Sequence, residues 1–204
     1  MSHPGEPQPR RAASPSRALL VLSALFFLLA AMIAAYSLGQ RSTEQAAPGA
    51  SPPAPDAPEV LRLAPAFSLP SLRGPERIGI GDFQGRVVVL NFFASWCAPC
   101  ALEAADLERV WQEQRNRGVI FLGVAIQDQP AAAMAFLERH EITYPAVIDT
   151  SNEIMYGYRV SGIPTTFFID AQGRITGRHA GIFVGDEGRA RLGERIERAR
   201  RGPR

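Results

Sequence analysis

Residues 87–100 read Val-Val-Val-Leu-Asn-Phe-Phe-Ala-Ser-Trp-Cys-Ala-Pro-Cys. Val87 to Ala94 form a β-branched and aromatic run, the composition of a strand buried on both faces. Cys97 then opens a stretch reaching about Arg117. Its apolar Leu102, Ala105, Val110 and Trp111 recur near helical spacing, and Gly118 stands where helices end. A central strand thus leads straight into a helix, and the two cysteines lie at the junction.

The alternation continues downstream. Val119 to Ile126 reads as a second strand, Pro130 to His140 as a helix with Met134 and Leu137 inward, and Ala146 to Ile148 as a short strand, which together make a βαβ unit. Thr165 to Ile169 and Arg174 to His179 flank the Gly-containing turn Asp170-Ala171-Gln172-Gly173, a hairpin signal. A last helix begins near Asp186, with Leu192 and Ile196 on one face. The expected class is α/β, a central mixed sheet flanked by helices.

Upstream, residues 18–38 carry no charge and are dominated by Leu, Ala, Phe, Ile and Val. As a helix, that length crosses a hydrocarbon layer of about 30 Å. Arg10, Arg11 and Arg17 precede it, while Arg41 after it is offset by Glu44, so segment 1–17 is expected in the cytoplasm and everything beyond 38 outside. Ser37 and Gly39 keep open a cleaved signal peptide cut before Gln40, but the apolar stretch exceeds the ~7 to 15 residues of a signal core. An uncleaved transmembrane anchor over 18–38 is expected. Residues 39–60 are Ala/Pro-rich, with Pro48, Pro52, Pro53, Pro55 and Pro58, and read as a stiff linker. Residues 61–204 then form one domain of ordinary size.

The balance of 22 basic and 20 acidic residues gives no support to nucleic-acid binding. The chain has only two cysteines, so no disulfide framework staples the fold, and scattered His3, His140 and His179 do not complete a structural zinc site. No metal or cofactor is expected. Two thiols separated by two residues suit dithiol chemistry: one sulfur attacks a disulfide and the other resolves the mixed disulfide. Cys97 at a helix N-terminus, where free N–H groups and the helix dipole favour a thiolate, is the expected nucleophile. Cys100, one turn further in, is the expected resolving thiol, and Pro99 fits the first turn, where its missing N–H costs little.

The segment Asn91-Phe-Phe-Ala-Ser-Trp-Cys-Ala-Pro-Cys100 resembles the active-site segment of the thioredoxin superfamily, specifically its TlpA/ResA-like membrane-anchored branch. Ala64-Pro-Ala-Phe-Ser-Leu69 is similar to that branch's opening strand, Gly85 to Leu90 to its central strand, and Gly162-Ile-Pro-Thr-Thr-Phe-Phe-Ile-Asp170 to its cis-proline loop. The resemblance implies a thioredoxin-like fold and a cis Ile163–Pro164 bond beside the cysteines. Trp96, Pro99, Ile163 and Pro164 would then form the substrate-binding surface. It also implies that Glu103, three residues after Cys100, is a partly buried proton acceptor and donor with a raised pKa. Ala105 stands where many relatives have proline, and Phe93 where many have tryptophan.

The implied activity is reduction of disulfides in exported proteins, such as apocytochrome c or a copper-site protein. Electrons would come from a membrane thiol-transfer partner. No histidine lies between the cysteines to stabilise the Cys97 thiolate, which favours reductant over oxidant. A general disulfide oxidase is the alternative direction. A Cu(I) chaperone would want a third ligand, for which only His179 is a loose candidate. A peroxidase would want Thr or Ser three residues before the reactive cysteine and Pro seven before, where Ala94 and Leu90 stand.

Overall fold

The computed structural model describes residues 27–30, 32–33 and 62–202. The chain divides into two units, residues 1–53 and 54–204. In the first, residues 27–30 and 32–33 are helical with exposed side chains. The rest of the expected anchor over 18–38, the segment 1–17 and the linker over 39–60 lie outside the described residues. Among the described residues no helix is long and apolar enough to cross a membrane.

The second unit is built on a five-stranded mixed sheet. Its strands are β3 (Val87–Phe93), β4 (Val119–Ile126), β5 (Ala146–Asp149), β6 (Thr165–Ile169) and β7 (Ile175–Ala180), in the order β5-β4-β3-β6-β7. The β3, β4 and β5 strands run parallel, whereas β6 pairs antiparallel with both β3 and β7. Every residue of β3, β4, β5 and β6 is buried, which explains why their sequences are mostly apolar without alternating, the polar exceptions being Asn91, Asp149, Thr165 and Thr166. Helices α1 (Ala98–Gln114), α2 (Pro130–Arg139), α3 (Glu153–Gly157) and α4 (Gly185–Arg201) complete the unit.

The expected α/β thioredoxin-like layering is therefore observed, with two corrections. On α1 the buried side chains are Cys100, Glu103, Ala104, Leu107, Val110 and Trp111, while Leu102 and Ala105 face outward. Val110 and Trp111 point inward as expected, but in the first turns the inward stripe is interrupted by a glutamate, so the apolar pattern there gave the wrong phase. The segment 64–69, expected as an opening strand, is mostly irregular. Leu63 bridges Arg174, Ala64 N–H donates to the Gly173 carbonyl at 2.8 Å, and only Leu69–Pro70 (β1) pairs with Arg77–Ile78 (β2). Pro65 and Pro70 bring no N–H to a ladder, which keeps pairing here short.

The helices end and cap as their chemistry requires. After α1 a 3-10 turn over Arg115–Arg117 stops at Gly118, whose φ of 73° is the left-handed conformation that glycine adopts without a Cβ clash. The short α3 hangs from buried Asp149, whose Oδ2 accepts the Ile154 and Met155 N–H groups, each at 2.9 Å. Leu192 and Ile196 of α4 are fully buried, as expected, each contributing about 1.5–3 kcal/mol by leaving water. Gly188 lets α4 approach so closely that a Cβ there would lie 2.7 Å from the Phe183 carbonyl carbon. The loop between β7 and α4 is bonded to α1 through the Phe183 and Gly185 N–H groups.

Candidate active site

Because β3, β4 and β5 are parallel, their C-terminal ends share one edge of the sheet, the edge where open α/β sheets place their sites. The chain leaves β3 at Phe93 and reaches Cys97 within four residues. Cys97 is the N-cap of α1 and is disulfide-bonded to Cys100, with a Cα–Cα distance of 5.3 Å. The Cys97 Sγ accepts the Cys100 N–H at 3.2 Å, one of the donors a helix start leaves unpaired. Pro99 occupies the first turn and is exposed. Both cysteines are nearly inaccessible in this oxidised form, at 4% and 3% exposure, so burial does not separate them; helix position does.

Beside them Trp96 is 60% exposed, its indole N–H donating to the Gln127 carbonyl at 3.0 Å. The Ile163–Pro164 peptide bond is cis. Thr165, the next residue, faces Phe92 in the β3–β6 register, so Pro164 lies at the end of β3 from which the chain proceeds to Cys97. Pro164 is buried and Ile163 half-buried, and the Thr165 hydroxyl donates to the Gly162 carbonyl at 2.7 Å, closing the turn.

Three residues beyond Cys100 on α1, Glu103 is buried at 1% exposure. Its Oε1 accepts from Asn91 Nδ2 at 3.0 Å, and its Oε2 accepts from the Phe183 N–H at 3.0 Å. The same Asn91 nitrogen also donates to the Thr166 hydroxyl at 3.1 Å. Burial dominates and pushes the Glu103 pKa up to about 7, against the opposing pull of the Phe183 and Asn91 bonds. One turn along α1 the balance reverses at Asp106. Burial pushes its pKa up, but the Gly185 N–H and the Arg189 guanidinium bonded to it hold the carboxyl below its ordinary value. Neighbouring carboxylates thus tether the same 183–185 loop with opposite proton affinities.

Glu103 is more deeply buried than the partial burial expected of it. Asn91 opens the segment that runs to Cys100, but only the fold turns its amide toward Glu103 from the neighbouring strand. A polar residue inside an otherwise apolar buried run was the available signal, because buried amides need partners. His179, the loose candidate for a third copper ligand, packs its ring on Phe183 with centroids 4.2 Å apart. Among the described residues no three His, Cys, Asp or Glu side chains gather to hold a metal.

A buried strand, a capping cysteine disulfide-bonded one turn into the helix, a cis-proline turn and a buried acid together can support dithiol–disulfide exchange. Comparison with known proteins agrees. Residues 60–178 match the AhpC/TSA family. The chain is 35% identical over 112 residues to the thiol-disulfide oxidoreductase ResA of Geobacillus kaustophilus, covering 55% of this chain and 64% of that protein. It is 31% identical over 117 residues to ResA of Bacillus thuringiensis subsp. konkukian, covering 57% and 67%. The matches therefore span about two thirds of the length of these relatives. Among solved structures, a thiol:disulfide interchange protein DsbE from Chlorobium tepidum superposes with a TM-score of 0.64 at 26% identity, over 70% of this chain and 99% of that one. The chain belongs to the AhpC/TSA family and, within the thioredoxin fold, is a relative of the ResA and DsbE thiol-disulfide oxidoreductases.

Proposed function

We propose that this protein reduces disulfide bonds in exported proteins, working outside the cytoplasm from a membrane anchor formed by residues 18–38. The observation that carries the reading is the Cys97–Cys100 disulfide at the start of α1, with Cys97 as its N-cap. In the reduced protein the Cys97 thiolate attacks one sulfur of a substrate disulfide. The substrate S–S bond breaks, a Cys97–substrate disulfide forms, and the departing thiolate takes up a proton. Cys100 then loses its proton and attacks the Cys97 Sγ, releasing the second substrate thiolate, which is protonated in turn. Two electrons pass to the substrate and the Cys97–Cys100 disulfide is restored.

Glu103 is assigned the proton accounting. It stands one helical turn from Cys100, and its pKa of about 7 leaves it able both to accept the Cys100 proton and to return one. Trp96, Pro99, Ile163 and Pro164 frame the surface on which a substrate chain lies, the Ile163 backbone pairing with it. The domain is read as residues 61–204 on a linker of 39–60, with segment 1–17 in the cytoplasm. Re-reduction requires a membrane thiol-transfer partner carrying electrons from inside. Cytochrome c maturation or copper-site assembly would supply the clients.

The Ala98-Pro99 pair between the cysteines favours the reducing direction over a general oxidase. Peroxidase chemistry lacks its residues: Ala94 and Leu90 hold the key positions, and both are fully buried. The test uses the full-length chain, reduced and mixed with insulin. Wild type is expected to reduce the insulin disulfides, and Cys100→Ser to accumulate a mixed disulfide that mass spectrometry places on Cys97. Failure of wild type to reduce any insulin disulfide, together with no adduct on Cys97, would overturn the reading.

A further inference from the structure

The Ser95–Trp96 segment that leads into Cys97 does not stand alone. The β3–β4 register pairs Phe93 with Ala125, and the β4–β5 register pairs Ile126 with Asp149, so three loops lie side by side at the active-site edge. They are bonded in sequence. The Asp128 carboxylate accepts the Ser95 N–H at 2.5 Å and the Ser95 hydroxyl at 2.8 Å, and it is held by the Gln129 N–H at 2.8 Å. The neighbouring Gln127 carbonyl accepts the Trp96 indole N–H at 3.0 Å. Gln127 has a φ of 49°, a conformation uncommon for a residue with a Cβ, and its own N–H donates to Asn152 Oδ1 at 3.1 Å. Asn152 is likewise left-handed at a φ of 62°, which asparagine tolerates better than most residues.

Non-glycine residues persist in such conformations when their surroundings over-determine them, and they cluster near functional sites. Here the outcome is a fixed direction for the Gln127 carbonyl, aimed at the indole. Trp96 is the large aromatic exposed immediately before Cys97, yet its polar edge is pinned. An exposed ring that is already immobilised loses little side-chain entropy when a partner covers it.

We infer that Asp128 and Asn152 are positioning residues: through Ser95 and Gln127 they hold the Trp96 ring as a preset platform for an extended protein substrate beside Cys97. The inference rests on the proposed exchange reaction and adds residues that do not themselves touch the sulfur atoms. It predicts an effect on protein disulfides, which need the platform, and little on a small disulfide, which does not.

The test uses the full-length chain with Asp128→Ala, Asp128→Asn and Asn152→Ala. For insulin disulfides, with dithiothreitol re-reducing Cys97–Cys100 between turnovers and its uncatalysed rate subtracted, Asp128→Ala and Asn152→Ala are expected to raise KM at least fivefold with kcat within threefold of wild type. Single-turnover reduction of oxidised glutathione by the reduced protein should stay within threefold. Asp128→Asn keeps an oxygen for the Ser95 N–H and should recover most of the KM. Time-resolved anisotropy supplies a readout that needs no substrate: a fast component from the freed Trp96 ring should grow in both alanine variants, while buried Trp111 stays rigid. If Asp128→Ala does not fold, Trp96→Phe, which removes only the indole N–H bond and the ring's second cycle, should give the same KM rise. Unchanged indole motion in Asn152→Ala, or a KM within twofold of wild type in every folded variant, overturns the inference. Inactive wild type would instead overturn the exchange reaction, and the anisotropy would still decide the platform.

Discussion

Glu103 is a carboxyl group whose burial in the fold should be visible in stability. Its pKa rises from an ordinary 4.5 to about 7, with burial the leading cause. The native state therefore binds this proton more tightly than the unfolded chain does. Its contribution to stability is complete below pH 4.5 and is lost as pH rises through about 7. A displacement of about 2.5 units at ~1.36 kcal/mol each amounts to roughly 3 kcal/mol in full, of which about 2.5 kcal/mol falls between pH 5 and pH 8. Glu103→Gln removes the titration. It also turns an amide nitrogen or oxygen toward donors at Asn91 and Phe183, so one bond is lost, at a pH-independent cost of about 1–3 kcal/mol. Urea unfolding of both oxidised proteins at several pH values separates the two effects, since other titrating groups cancel in the difference. The wild type should lose about 2.5 kcal/mol relative to Glu103→Gln between pH 5 and pH 8, or about 5–10 °C in melting temperature for a domain of this size. A difference constant to within about 1 kcal/mol over that range would refute the raised pKa and, with it, the assignment of Glu103 as proton carrier at neutral pH.

Cys97→Ser should abolish exchange, whereas Cys100→Ser should retain the first attack and stall at the mixed disulfide; non-reducing electrophoresis distinguishes them. Asp149→Ala should cost about 2–4 kcal/mol in urea unfolding, because the N–H groups of Ile154 and Met155 lose their acceptor in a buried setting. Gly188→Ala forces a Cβ against the Phe183 backbone and should both destabilise the fold by more than about 2 kcal/mol and lengthen the Phe183–Glu103 bond, moving the pH at which the Glu103 carboxyl titrates, as read by infrared spectroscopy.

The strands at the centre were legible because burial on both faces leaves a continuous apolar signature, and β4 and β6 span the residues the sequence indicated. The cysteine pair was legible because its spacing is itself the chemistry. What sequence did not disclose depends on contacts across the sheet. Leu102 looked like an inward helix residue until the fold showed a glutamate holding the inward position one place later. Asn91 and Asp128 are polar residues whose partners lie 12 and 33 positions away in sequence, and no local pattern specifies such pairs. The five-residue α3 is organised by the Asp149 cap rather than by an apolar stripe, so periodicity had little to register.

The direction of electron flow is tested most directly by the reduction potential of the Cys97–Cys100 couple in the full-length chain, equilibrated with dithiothreitol and glutathione buffers. For this two-electron couple about 30 mV corresponds to about 1.4 kcal/mol, so the two directions are well resolved. A potential near that of thioredoxin, about −270 mV, is the expected result for a dedicated reductase, and one near about −120 mV would contradict it and make the protein an oxidant.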